Sequence, residues 1–587
     1  MHSRTTHLLL ALSVAASSGC AGLRPGTPGT GVHWSELGSS ESAETSAQDP
    51  EAQALGAYLR GVLALQEGDQ EEAVGAFERA VAADPSSALL RQRLAAMYIR
   101  QRLLPQALEQ CEAAVRLDPE GIDSRLLYAD VLSASQRDED AIVQYEMVLD
   151  SDESNRKARL LLGILYGKQG NFERGIEVLE RLTEMEPDSF LGHYYLGRLH
   201  AAASQFDAAE RSYKTALSLN PRSEPALIDL ALLYEIQKQP EKAIELYEQA
   251  LEASPRPNMI RRRLGGLYVR QRKFEDALAQ FRELEKTDTD PQETRTKIGL
   301  ILFETGENER AATEFSLVLA AEPENHRVRY YLASVYEELR AFSRAIEEFK
   351  RIPSDHEWYV DAQLHIAYIY QQENNLPAAI AQIEEARNTK KDDSELLSFL
   401  AGLYRENDQL NRAIEVLEKL LVLDPDNDRY HFTLGALYDE NGEKELCLTH
   451  LRQAIALNPE NAAALNYLGY TYAERGDQLD EAESLIRRAL AVAPDDGYYV
   501  DSLGWVYYQR GEYEEAIEHL ERAVALAGDD PTIAEHLGDA YRRVGRSAEA
   551  LRVYRDALSR SKEDEQAERI RAKIEELQAS RTRGGES

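Results

Sequence analysis

A small residue returns every 34 positions along this chain, and no other feature constrains the fold so tightly. The series is Gly61, Ala95, Ala129, Gly163, Gly197, Ala231, Gly265, Gly299, Ala333, Ala367, Ala401, Gly435 and Gly469, then Gly504 and Gly538 after one inserted residue. A second series follows twelve residues behind: Ala73, Ala107, Ala141, Gly175, Ala209, Ala243, Ala277, Ala311, Ala345, Ala379, Ala413, Cys447, Ala482, Ala516 and Ala550. Chance does not hold a phase over so many periods. A fixed period of this length marks a helical-hairpin repeat. A hairpin alone cannot bury its apolar face, so the units must stack. The expected fold class is all-α.

The residue types at fixed places in the unit follow from that packing. Two helices that cross closely admit only small side chains at the contact, which accounts for positions 8 and 20. Cys447 fits position 20 as a small apolar residue. Tyrosine recurs at position 11 (Tyr98, Tyr166, Tyr234, Tyr268, Tyr336, Tyr370, Tyr404, Tyr438, Tyr472, Tyr507, Tyr541), where an aromatic ring is expected to pack between neighbouring hairpins. Proline at position 32 (Pro119, Pro221, Pro255, Pro323, Pro425, Pro459, Pro494) stops the second helix before the next begins. On these residues the chain resembles the tetratricopeptide repeat over 54–564. The resemblance implies a right-handed superhelical solenoid of about fifteen hairpins, with the first helix of each lining a concave face. The thirteenth unit carries its extra residue near Gly476-Asp477-Gln478. Units 3, 7 and 10 lack the terminal proline, which leaves their ends less defined. After the array, Ala567, Ile570, Ile574 and Leu577 share one face of a charged helix expected over 565–580, a polar cap of the kind a solenoid needs. Residues 581–587 are expected to be a disordered tail.

The chain has 587 residues. That length would suggest several domains, but a solenoid grows by stacking and overrides this expectation. Its formal net charge of −36 repels phosphate and argues against nucleic-acid partners. The acidity has two readings, a solvated surface or a preference for cationic partners. Of the cysteines Cys20, Cys111 and Cys447, the last two fall at interior positions of distant repeats, and no disulfide between them is expected.

The amino terminus stands outside the repeat. His2, Arg4 and His7 precede an apolar stretch from Leu8 to Ala16, too short for a permanent membrane span. Ser17-Ser18-Gly19-Cys20 follows. It is similar to the lipobox of bacterial lipoproteins, although Ser17 departs from the commoner Leu or Val. The resemblance implies a signal peptide over 1–19 and lipidation of Cys20, whose acyl chains would anchor the protein. The other reading is a cleaved secretory signal with a chance cysteine. Ala21, where an aspartate would favour the inner membrane, points to the outer membrane, with the array facing the periplasm. Residues 20–53, rich in Gly, Pro and Ser, form an expected tether with a reach of roughly 30 Å.

No catalytic constellation is evident, and neither an enzyme nor a cofactor is expected. Asp424-Pro425-Asp426-Asn427-Asp428 imitates the start of a calcium loop, but Arg429 and Gly435 occupy the required glycine and glutamate positions. The expected function is binding. By the resemblance, concave-face positions offer Arg262 and Arg270 within a basic run in unit 7, and Glu337, Asp439 and Glu440 among an acidic set in units 9 to 12. Units 13 and 14 offer Asn466, Tyr470, Tyr498, Asp501, Trp505 and Tyr508. Exposed aromatics in a concavity anchor partners; equally, they can pack on one another and on the next hairpin. The carboxylate clamp of co-chaperones is excluded, since only Asn466 matches it.

The stretches Asn466–Gly476 and Asp501–Tyr508 look like those of large Gram-negative outer-membrane repeat lipoproteins. Some of these bind and activate a carboxyl-terminal processing protease and deliver its substrates. The resemblance implies a periplasmic protein partner of that kind. A scaffold for assembling a secretin, pilus or polysaccharide-export complex stands as the alternative, and a peptidoglycan-acting enzyme as a third class.

Overall fold

The computed structural model describes residues 49–562 and 564–584. Among them every regular element is an α-helix, from Pro50–Glu67 to Asp564–Gly584. They pair into fifteen hairpins and one closing helix. The chain divides into two compact units, one ending at Ala253 and the other beginning at Ser254. The first holds hairpins 1 to 6; the second holds hairpins 7 to 15 and the closing helix. The signal-like segment, Cys20 and the tether up to residue 48 lie outside the described residues.

Side-chain caps start many of the helices. Asp49, Asp69, Asn155, Asp393, Asn461 and Asp496 each accept a backbone N–H of the first turn, satisfying donors that have no intrahelical partner. The calcium-like stretch serves the same purpose. Asn427 caps Asp428–Glu440, and the Asp428 carboxylate accepts amides from Asn458 and Asn461, which follow the second helix of the same hairpin. At hairpin ends, the residue before the proline leaves the helical region, as with Asp118 at φ −129°, ψ 82°.

Inside each hairpin, position 8 meets position 24. A Cβ on Gly61 would lie 2.9 Å from the Phe77 ring, on Gly163 2.5 Å from Leu179, and on Gly538 2.4 Å from Tyr554. The position 20 alanines Ala73, Ala107, Ala311 and Ala516 have no exposed surface. Cys447 takes the same place; it and Cys111 are buried free thiols, both pushed up to about 12 by burial. Between hairpins, the position 11 tyrosines reach back to the preceding hairpin. Tyr98 donates to Glu78 at 2.8 Å, Tyr438 to Glu418 at 2.8 Å, and Tyr166, Tyr404 and Tyr541 bond to Glu146, Glu384 and Glu521.

The turn within each hairpin follows a rule that the small-residue series does not show. One residue there adopts a left-handed backbone in every repeat: Gly68, Arg102, Gln136, Gly170, Ser204, Lys238, Arg272, Gly306, Arg340, Asn374, Asp408, Gly442, Gly476, Gly511 and Gly545. In repeat 13 the extra residue is absorbed here, where Gln478 is left-handed as well (φ 49°). The main irregularity falls in repeat 9, and a smaller one in repeat 7, whose second helix Phe274–Glu285 has 12 residues. In repeat 9 the second helix, Phe342–Lys350, is short because Pro353 arrives early and bars Ile352 from helical geometry. The Trp358 ring fills the space 4.7 Å from Tyr330. The closing helix runs to Gly584, beyond the end at residue 580 expected from sequence.

Candidate functional site

The first helices of the last three hairpins, Ala462–Arg475, Gly497–Arg510 and Pro531–Arg543, and the closing helix Asp564–Gly584 carry the same pair of positions one turn apart. Read in order, these are Asn466 and Tyr470, Asp501 and Trp505, Glu535 and Asp539, Arg569 and Lys573. The row passes from amide and aromatic through acid to base.

Its centre is a buried ion pair. His536 Nδ1 lies 3.0 Å from both oxygens of Asp501, and both residues are buried. Burial alone would favour the neutral imidazole. The adjacent Asp501 carboxylate outweighs it, so His536 holds its proton above the usual histidine range. The Trp505 indole is stacked between that imidazole, 4.1 Å away at 20°, and the Tyr508 ring, 4.6 Å away at 6°. The Tyr470 ring is 6.4 Å from His536. Burial, then Glu474 and Asp501, push the Tyr470 hydroxyl up. Arg543 lies over the rings of Tyr508 and Tyr513, at 5.9 and 4.7 Å, within cation–π range.

The closing helix supplies the basic side. Arg569 grips the buried Glu535 carboxylate with two bonds of 2.9 Å, and Lys573 bridges Glu535 at 2.7 Å and Asp539 at 2.6 Å. Burial tends to raise the Glu535 carboxyl, but hydrogen bonds from Arg569 and Lys573 hold it below the usual range.

Two polar atoms on this face have no hydrogen-bond partner: the indole Nε1 of Trp505 and the amide Oδ1 of Asn466, both buried. One is a donor and the other an acceptor. A buried unpaired polar group costs about 1–3 kcal/mol.

The structure therefore brings Asn466, Tyr470, Asp501, Trp505 and Tyr508 onto one face. It places Tyr498 apart, 56% exposed at the first turn of its helix. Arg262 and Arg270 stand on the distant helix Asn258–Arg270, with Arg262 2.7 Å from Asp288. The aromatics do pack on one another, yet Trp505 and Tyr508 stay half-buried. The acidic set is partly consumed in contacts between repeats. Glu337 meets His365 at 2.7 Å, Asp439 accepts from Tyr467 at 2.9 Å, and Glu440 pairs with Arg405 at 2.5 Å. His536, Glu535, Asp539, Arg543, Arg569 and Lys573 were not singled out from sequence. Extending the repeat phase by one unit finds four of them, since Glu535 and Asp539 sit 34 residues before Arg569 and Lys573. Among the described residues, no group of three or more His, Cys, Asp or Glu side chains is placed to hold a metal, and no helix is long and apolar enough to cross a membrane.

Models of the tetratricopeptide repeat match residues 43–88, 160–224, 197–256, 228–294, 296–356 and 448–504. Further models of the repeat match 402–442, 428–461, 504–545 and 532–568. No curated protein matches the chain. Among solved structures, a tetratricopeptide repeat protein from Parabacteroides merdae is 18% identical, covering 43% of this chain and 99% of that one at a TM-score of 0.34. Yeast Tom70 is 14% identical over 90% of this chain and 96% of its own, TM-score 0.32. The Cut9–Hcn1 tetramer of the APC/C gives 15%, 83%, 96% and 0.35 for the same measures.

Proposed function

Because the chain belongs to the tetratricopeptide-repeat proteins, a family of protein-binding scaffolds, we propose that it is a membrane-anchored adaptor that holds a protein partner on the face around Trp505. The observation that carries this reading is the half-buried aromatic platform of Trp505 and Tyr508, stacked on His536 at one face of the repeats. The apolar and aromatic side chains of a peptide can lie on these rings. The Asp501–His536 and Glu535–Arg569–Lys573 contacts hold that platform rigid, which lowers the entropy lost on binding.

The finer assignment rests on the sequence. Cys20 in its lipobox-like setting supports a lipid anchor, and Ala21 supports the outer membrane with the array in the periplasm. The repeat-lipoprotein resemblance of units 13 and 14 supports a carboxyl-terminal processing protease as the partner, with this protein activating it and presenting its substrates. The protein acts through binding and takes no cofactor. The experiment is capture on immobilised residues 21–587 from a periplasmic and membrane extract, with Trp505→Ala/Tyr508→Ala alongside. A serine protease of that class retained by the wild type and lost by the double variant supports the proposal. A secretin, pilus or export component in its place moves the protein to envelope assembly.

A further inference from the structure

In several hairpins, positions 4 and 23 meet as a fixed donor and a fixed acceptor. Arg91 donates to Gln110 at 3.0 Å, Arg125 to Gln144 at 2.9 Å, Arg261 to Gln280 at 3.0 Å and Arg329 to Glu348 at 2.6 Å. The position 4 side chain also donates to the carbonyl six residues earlier, as Arg91 does to Pro85 and Arg329 to Pro323. Hairpin 12, made of Asp428–Glu440 and Lys444–Leu457, has histidine at both places. His431 Nε2 lies 3.2 Å from the Pro425 carbonyl oxygen, and His431 Nδ1 lies 3.0 Å from His450 Nδ1. A carbonyl only accepts, so His431 carries its proton on Nε2 and leaves Nδ1 as an acceptor. His450 then donates from Nδ1, and one hydrogen sits between the two rings. The rings stack 5.2 Å apart at 30°, and Tyr438 stacks on His450 at 5.4 Å and 22°. From the preceding hairpin Glu418 faces the pair and accepts the Tyr438 hydroxyl at 2.8 Å. Arg452, two residues beyond His450, turns to the Tyr472 hydroxyl of the following hairpin at 2.8 Å. Burial, then His431, hold His450 below the usual histidine range against the pull of the Glu418 carboxylate.

We propose that hairpin 12 is an acid-sensitive joint: the His431–His450 contact holds at neutral pH and opens in acid, freeing the first turn of Asp428–Glu440 from Lys444–Leu457. The closed pair has room for one added proton, on His450 Nε2. A further proton on His431 Nδ1 would point its hydrogen at that of His450 and set two cations 5.2 Å apart. Separated histidines take up one proton each, at about pH 6.5. Below that pH the open state therefore binds at least one proton more than the closed state. The contact keeps its full strength above about pH 6.5 and loses about tenfold for each pH unit below it. Acid acts in the opposite sense on Asp501–His536, where His536 keeps its proton and the pair stays joined.

Hydrogen exchange of the full chain at pH 7 and pH 5 tests this, with each rate divided by that of an unstructured chain at the same pH. At pH 5 carboxylates such as Asp428 stay charged, since the ordinary aspartate value is about 3.9 and Asp428 is held lower by Asn458 and Asn461 against the effect of burial. Protection of amides 432–440 and 448–457 should fall at least tenfold at pH 5, while that of 398–423 in hairpin 11 holds. The variant His431→Arg/His450→Gln installs the Arg–Gln pair of hairpins 2, 3 and 7, and its hairpin 12 should keep at pH 5 the protection it has at pH 7. Unchanged protection of hairpin 12 in the wild type overturns the proposal. An equal loss in the double variant also overturns it and assigns the acid response to another group. An equal fall in hairpins 11 and 12 overturns it as well, because it reports unfolding of the whole stack rather than opening of one joint.

Discussion

At the C-terminal end of the array, the helix Asp564–Gly584 buries Ile570, Ile574 and Leu577 and turns Glu568, Arg571 and Glu575 to solvent. At the N-terminal end, the helix Pro50–Glu67 buries Ala54, Gly61 and Ala64 on one side and exposes three leucines on the other. Both are terminal helices of the same kind of stack. The C-terminal one keeps the repeat phase, since Gln566, Arg569, Lys573 and Glu576 each bond to a residue 34 positions earlier. It is in effect the first helix of a sixteenth hairpin whose second helix has been replaced by a charged surface. The N-terminal one keeps apolar side chains on its outer face. The difference teaches that a repeat stack is finished by changing outward-facing residues, as the closing helix does and the first helix does not.

Removing the closing helix should have the largest effect. A chain ending at Ser561 loses the burial of three aliphatic side chains, about 5 kcal/mol or more, and leaves Glu535 without its cations. Urea unfolding followed by Trp505 fluorescence should show the last hairpins melting early; an unchanged transition would break the contrast between the ends. Next in size is Asp501→Asn, which strands a buried imidazole and should cost about 3 kcal/mol. The same pair sets a pH dependence. His536 has a raised folded-state pKa, so its contribution is fully present below the unfolded value of about 6.5 and is lost as pH rises through the folded value. Thermal melts of the wild type between pH 6 and 9 should show this loss, and Asp501→Asn should flatten it.

A smaller effect compares one position in two hairpins. Met97→Ala should cost about 2–4 kcal/mol by opening a cavity, whereas Leu63→Ala should cost about 1 kcal/mol or less, because Leu63 is already 53% exposed. Equal costs in chemical denaturation would mean that the first helix is as deeply packed as the second. Smallest is Lys238→Gly. Lys238 is left-handed at φ 56°, and glycine there should stabilise by up to about 1 kcal/mol, read as a rise in Tm.

The hairpin architecture was legible because close crossings forbid side chains, and Gly or Ala at positions 8 and 20 writes that exclusion into the chain. The left-handed turn was hard to see, since residues such as Arg102, Lys238 and Asp408 hold the same conformation as Gly68. The rigid stack forces it on them whatever their preference. Five of the eight partner-binding residues named from sequence meet on one face because repeat phase fixes which side of a helix they occupy. The role of His536 was not legible. Position 6 faces the adjoining repeat, and only the coordinates show that Asp501 there is an ion-pair partner rather than a solvated acid.

Within each compact unit, position 11 tyrosines such as Tyr98, Tyr166, Tyr404, Tyr438 and Tyr541 tie a hairpin to the one before it. Such a stack has the mechanics of a zip fastener. Pulled from one end, it yields in equal steps, each freeing one unit and lengthening the chain by roughly 110–120 Å at 3.3–3.6 Å per residue, while hairpins further along keep their shape.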